Sequence, residues 1–155
     1  MLLHQELSKK ASSYFRTADH LAYVTFPVVN DLKLIPAILE NLNLALLNAM
    51  NAALEYERYY KRLQPLPENF DSRYSVFEDK LINKYNILKK EAQLIHQVNN
   101  VMKNYKDAPI EFPRKDKFVI FNHEYRMKTV SMPEIKDFLI QARELITKIT
   151  KVVNR

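Results

Sequence analysis

Apolar residues recur along most of this chain at three- and four-residue steps, the spacing that gathers side chains on one face of an α-helix. Leu3, Leu7, Ala11, Tyr14, Ala18 and Leu21 predict a first helix over about 3–23. Pro27 is expected to end it, with Phe26, Val28 and Val29 buried in the connection. Ile35, Ile38, Leu39, Leu42, Ala45, Leu46, Ala49, Ala53, Tyr56, Tyr60 and Leu63 sustain a second helix over about 31–63. Asp31 suits its N-cap, Pro36 must sit in its first turn, and Gln64-Pro65-Leu66-Pro67 stops it. Tyr74, Phe77, Leu81, Leu88, Ala92, Ile95, Val98, Met102 and Tyr105 carry a third stripe over about 72–106. The last helix, about 132–153, opens with Ser131-Met132-Pro133-Glu134, a capping box with proline in the first turn. Ile135, Phe138, Leu139, Ala142, Leu145, Ile146, Ile149 and Val153 continue it.

The period changes between the third and fourth helices. Residues 107–117 carry Pro109 and Pro113 and read as a loop. Phe118–Asn122 and Tyr125–Val130 are rich in aromatic and β-branched residues and are split by His123-Glu124. They predict a short β-hairpin at about 118–130. The expected fold is therefore all-α: one domain over 1–155, a four-helix antiparallel bundle with a β-hairpin inserted before the last helix. Two of the helices are about thirty residues long, roughly 45 Å at 1.5 Å per residue. A long pair projecting past a shorter pair leaves apolar surface uncovered, so a homodimer is expected.

Two absences narrow the chemistry. The chain has 0 Cys, which removes disulfides, a thiolate nucleophile and Cys-ligated zinc. It has 0 Gly, which removes the Walker loop, the GxGxxG turn and the GxSxG elbow, all of which depend on glycine backbones. Turns must then be made by Pro, Asn and Asp. None of His4, His20, His96 and His123 has an acid three residues before it, and HExxH is absent, so no metal site and no cofactor are expected. The opening MLLHQELSKK has no apolar core of a signal peptide, and no run reaches the roughly 18 apolar residues of a membrane span. A cytoplasmic protein without membrane contact is the expectation.

The net charge is +6 with a pI near 9.4. Residues 1–106 carry 14 Lys+Arg against 11 Asp+Glu, and residues 107–155 carry 10 against 7, so each part contributes +3. There is no polycationic tail. Two places interleave cations with aromatic rings, the composition that holds phosphates and stacks bases. The first is the hairpin, where Arg114, Lys115, Lys117, Arg126 and Lys128 surround Tyr125, with Phe112 and Phe121 nearby. The second is the end of the second helix, where Arg58 and Arg62 flank Tyr59, Tyr60 and Lys61. Both also have structural accounts. Cations suit a helix C-terminus, Glu57 and Lys61 form an i,i+4 pair, and lysines guard the edges of a two-stranded ribbon. Asn48, Asn51 and Glu55 form a polar stripe that reads as the wet side of the second helix. One acid/base constellation remains. Arg16 and His20 share a helix face beside Asp19.

The stretch LAYVTFPVVND, followed by the long helix ending EYERYYKRL, and the stretch RKDKFVIFNHEYRMKTVS, followed by an amphipathic helix, resemble a group of small all-helical archaeal proteins with no assigned activity. That resemblance covers most of the chain and implies a cytosolic archaeal protein. HEPN domains resemble the chain in architecture only. Their Arg and His stand further apart than the three residues between Arg16 and His20, and on a later helix. Fold analogy alone does not supply function. The leading expectation is a non-enzymatic, homodimeric interaction protein that contacts RNA or DNA through the basic hairpin. A metal-independent HEPN-like ribonuclease using Arg16 and His20 is the alternative.

Overall fold

The structure is a computed structural model that describes residues 1–107, 110–114, 117–121 and 127–155. It is mostly helical, with a small antiparallel sheet before the last helix. Among the described residues no helix is long and apolar enough to cross a membrane.

Helix α1 spans Leu3–His20 and does not stop before Pro27. It widens into a π-helical turn at Leu21–Thr25 and runs on as α2, Phe26–Val29. The Phe26 N–H bonds the Leu21 carbonyl, five residues back. Proline has no N–H to donate and its ring presses on the carbonyl four residues earlier, and a wider turn accommodates both. Asn30 then adopts a left-handed conformation (φ 51°) and closes the end with its N–H on the Phe26 carbonyl at 2.7 Å. The expected burial after Tyr23 does not occur: Val28 is 84% exposed, Val29 is exposed and Phe26 is half-buried.

Helix α3, Leu34–Tyr59, is the centre of the molecule and packs against α1, α5 and α6. Ile35, Ile38, Leu42, Leu46, Ala49 and Ala53 are fully buried, as their spacing predicts. Pro36 lies in the first turn, where a missing N–H costs nothing. Asp31 caps the short turn before the helix, accepting the Lys33 N–H at 2.9 Å, rather than the helix itself.

The third predicted helix is two helices, α4 at Phe70–Lys80 and α5 at Lys89–Asp107. Asn86 is the breaker. At φ 58° it sits in the left-handed region, with Asn86 N–H on the Asn83 carbonyl and Ile87 N–H on the Ile82 carbonyl at 2.8 Å. That pair of bonds is a Schellman closure, which usually takes glycine and accepts asparagine. Glu91 starts α5 by accepting the Leu88 N–H at 2.8 Å. Leu88, placed on the core stripe by its spacing, is 57% exposed. The break removes the second expected thirty-residue helix. α3, α5 and α6 have 26, 19 and 22 residues, and α1 with its π-helical turn and α2 runs without interruption over 3–29.

The hairpin is part of a three-stranded sheet in the order β1 (Ile110–Arg114), β2 (Lys117–Phe121), β3 (Met127–Ser131). Register pairs include Phe112 with Val119 and Val119 with Thr129. β1 was expected as loop because of Pro113, but it is an edge strand, where proline is tolerated. Ser131 caps α6, Met132–Val153, by accepting the Glu134 N–H, and its hydroxyl bonds the Glu134 carboxylate at 3.2 Å.

Pairwise contacts set the helix directions. His4 at the start of α1 packs on Tyr56 near the end of α3. Asn154 bonds Ser8, while Arg143 bonds Asp19 at 3.1 Å, so α6 runs opposite to α1. Lys148 bonds Glu91 at 2.7 Å near the start of α5. Tyr105 near the end of α5 lies 6.2 Å from the Phe118 ring of β2. The sheet and the end of α3 therefore lie toward opposite ends of α5, whose 19 residues span roughly 28 Å.

Candidate nucleic-acid interface

The end of α3 is built around a buried acid. Glu57 is 1% exposed, yet its carboxylate is charged. Burial alone pushes its proton affinity up. Hydrogen bonds from Arg62, Lys84 and Tyr85 outweigh that and hold it below the usual carboxylate range. Arg62 Nε and Lys84 Nζ, the latter at 2.8 Å, share Oε2, and the Tyr85 hydroxyl donates to Oε1 at 2.9 Å. Burial, joined by the adjacent Glu57, keeps the Tyr85 phenol protonated far into the alkaline range.

The expected Glu57–Lys61 pair is absent because Lys61 is no longer helical. It adopts φ 59°, and its N–H returns to the Arg58 carbonyl while Arg62 N–H returns to the Glu57 carbonyl, both at 2.9 Å. This Schellman closure turns Arg62 back over the helix end. Its guanidinium lies 5.0 Å from the centre of the Tyr60 ring and 5.5 Å from that of Tyr56, within cation–π range.

A second acid is also turned inward. Glu55 accepts Arg73 Nη2 at 3.1 Å and lies 3.6 Å from Arg58. Arg73 also bonds Asn51 at 2.9 Å and the Pro67 carbonyl at 3.1 Å. Asn51 and Glu55 are therefore not a wet side. They are the seat on which α4 clasps α3.

What faces water is cationic and aromatic. Tyr59 and Tyr60 are 54% and 51% exposed, and Arg58, Lys61, Arg62 and Lys84 are exposed around them. The Tyr59 and Tyr60 rings meet edge to face at 5.0 Å, and His4 packs 5.4 Å from Tyr59. His4 is itself buried, which lowers its proton affinity despite the opposing charge of Glu55. Leu3, His4, Glu55, Arg58 and Tyr59 line a shallow cavity of about 260 Å³ here.

The two basic places predicted from sequence are not brought together. Arg58 and Arg62 lie at the α3 terminus, whereas Lys117 is exposed on β2, toward the other end of α5. Arg114 and Lys128 fall in β1 and β3. Lys115, Tyr125 and Arg126 lie outside the described residues. Arg16 and His20 are exposed on α1, and Asp19 between them is held by Arg143 of α6. Among the described residues no group of three or more His, Asp or Glu side chains is placed to hold a metal ion. His4, Arg73, Lys84 and Tyr85 are the members sequence reasoning missed. Only the Asn83 and Asn86 breakers hinted at a turn beside Lys84.

Compared with known proteins, the chain matches no family model and no curated protein.

Proposed function

We propose that this protein is a non-enzymatic binding module, an antiparallel four-helix bundle built on α1, α3, α5 and α6, whose α3 terminus holds single-stranded nucleic acid. The observation that carries this reading is the sorting of charge at that end. Glu55 and Glu57 face inward, Glu55 held by Arg73 and Glu57 by Tyr85 together with the inner sides of the exposed Arg62 and Lys84, so that Arg58, Tyr59, Tyr60, Lys61, Arg62 and Lys84 are what the end presents to water. A strand's phosphates meet the cations, and its bases stack on the tyrosine faces. In this reading the hairpin cations, Lys117 among them, make separate phosphate contacts.

Titration of the whole protein against a labelled single-stranded RNA across a salt series tests the reading. Affinity falls as salt rises, and Arg58→Ala with Lys61→Ala lowers the slope of log K against log salt by about 1.4, at about 0.7 per lost contact. Tyr59→Ala with Tyr60→Ala weakens binding by about 1–3 kcal/mol per stacked base and leaves that slope nearly unchanged. Equal binding by both variants and the wild type overturns it.

The partner assigned to the apolar surface at the other end of α1 is a second copy of the chain. Tyr23, Val24, Val28, Val29 and Ile140 are exposed there, and Tyr23 and Ile140 line one shallow cavity with Leu139. Apolar groups exposed in such numbers favour a contact that covers them.

A further inference from the structure

A cavity of about 570 Å³ lies between α4 and α5. Asp71, Tyr74 and Glu78 line its α4 side, and Gln93, His96, Gln97 and Asn100 its α5 side. A second and smaller cavity of about 190 Å³ lies between α5, the sheet and α6. Val101, Ile120, Val130 and Phe138 supply its apolar walls, Asn104, Thr129 and Glu134 also line it, and Gln97 belongs to both cavities. The two lobes are therefore neighbours on one face of α5. Gln93, Gln97, Asn100 and Asn104 step along that face at intervals of four, three and four residues.

The chemistry of the lobes differs. In a chain with 24 Lys+Arg, none of the described residues lining either lobe is a lysine or arginine. The larger lobe has two carboxylates. The hydroxyl of the buried Tyr74 donates to Glu78 Oε2 at 2.9 Å, which orients that carboxylate. Behind it, the Tyr74 and His96 rings meet at 5.3 Å, with Phe70 5.8 Å from Tyr74. Carboxylates, an aromatic wall and side-chain amides together suit a protonated amine. The smaller lobe suits an apolar group. At about 30 Å³ per water-sized group it accommodates roughly six such groups. The α5 residues lining the two lobes are displaced by four positions, about 6 Å along the helix.

We propose that this two-lobed cleft binds a small amphiphilic amine, with the ammonium between Asp71 and Glu78 and a chain of about six carbons directed past Gln97 toward Val101 and Phe138. The charge complement selects a cation over an anion. The apolar lobe selects a ligand with a tail over a bare amine. The site shares no lining residue with the cavity at the α3 terminus, so its test is read separately from the nucleic-acid reading.

Calorimetric titration of the whole protein with hexylamine, ethylamine and hexanoate tests the proposal. Hexylamine saturates one site, ethylamine binds at least tenfold more weakly, and hexanoate does not compete. Asp71→Asn and Glu78→Gln each weaken hexylamine about tenfold. Val101→Phe, which fills the apolar lobe, weakens hexylamine while leaving ethylamine unchanged. Glu78→Gln keeps an acceptor for Tyr74, and Asp71 is exposed, so Asp71→Asn reports even if Glu78→Gln unfolds. No hexylamine binding at millimolar concentration overturns the proposal. So does binding of hexanoate as strong as that of hexylamine, or unchanged affinity in the Asp71 variant.

Discussion

Tyr85 donates its hydroxyl to Glu57 at 2.9 Å across 28 residues of sequence, so the last turns of α3 are fastened to the segment that leads into α5. Lys84 reaches the same carboxylate from that segment, and Arg62 reaches it from beyond the helix end. One buried acid thus ties the turn between α4 and α5 and the residue beyond the Schellman turn to the last turn of α3.

Replacing that acid strands its partners. Glu57→Ala is expected to cost about 2 kcal/mol, chiefly because the buried Tyr85 hydroxyl loses its acceptor. Arg62 and Lys84 are more than a third exposed and regain water, which limits the loss. Tyr85→Phe keeps both cations on Glu57 and costs about 1 kcal/mol. Urea unfolding of the two variants measures the difference.

The same carboxylate makes stability depend on pH. Its folded proton affinity is lowered, so its contribution is present above the unfolded value, near pH 4.3, and is lost as pH falls through the folded value. The gap in melting temperature between wild type and Glu57→Gln therefore closes as pH falls from 5 toward 3. A constant gap contradicts the charged, buried state.

His4 acts at a higher pH with the same sign. Burial lowers its proton affinity, so the fold favours the neutral ring and loses stability as pH falls below about 6.5, the unfolded value. His4→Phe keeps a ring against Tyr56 and Tyr59 and removes the titration. Melting temperatures at pH 7 and pH 5.5 are expected to fall further apart in the wild type than in this variant.

A glycine introduced into this glycine-free chain should stabilise it. Lys61 holds a left-handed backbone with a full side chain, at a cost of roughly 1 kcal/mol that glycine does not bear. Lys61→Gly therefore raises stability by about 1 kcal/mol in thermal unfolding while removing one cation from the proposed interface. Asn86→Val goes the other way, because a β-branched residue at φ 58° is strained.

If two copies meet over the apolar surface, light scattering across a concentration series gives twice the chain mass, and Val28→Asp returns it to one. Val28 is 84% exposed, so this substitution leaves the core untouched. A monomer at every concentration in the wild type ends that assignment.

Much of the helical layout was legible. α6 begins and ends where its capping box and stripe place it, and α3 keeps its predicted core face from Ile35 to Ala53. Local rules sufficed there because caps and a 3.6-residue period act over neighbouring residues. They failed at Asn83–Asn86, where the stripe continued through a break, and at β1, where two prolines masked an edge strand. They failed again at Pro27, where a π-helical turn carried the chain past a residue that ordinarily stops a helix.

The candidate site divides along the same line. The sequence by itself determined that Arg58, Tyr59, Tyr60, Lys61 and Arg62 cluster at a helix end, because they are consecutive and prolines follow. Only the tertiary structure decided which charges face water. Glu55 and Glu57 are drawn inward by Arg73, Lys84 and Tyr85, from 18 to 28 residues away. No periodic pattern encodes such partners, since a carboxylate's choice among distant cations is made by packing and burial rather than by spacing.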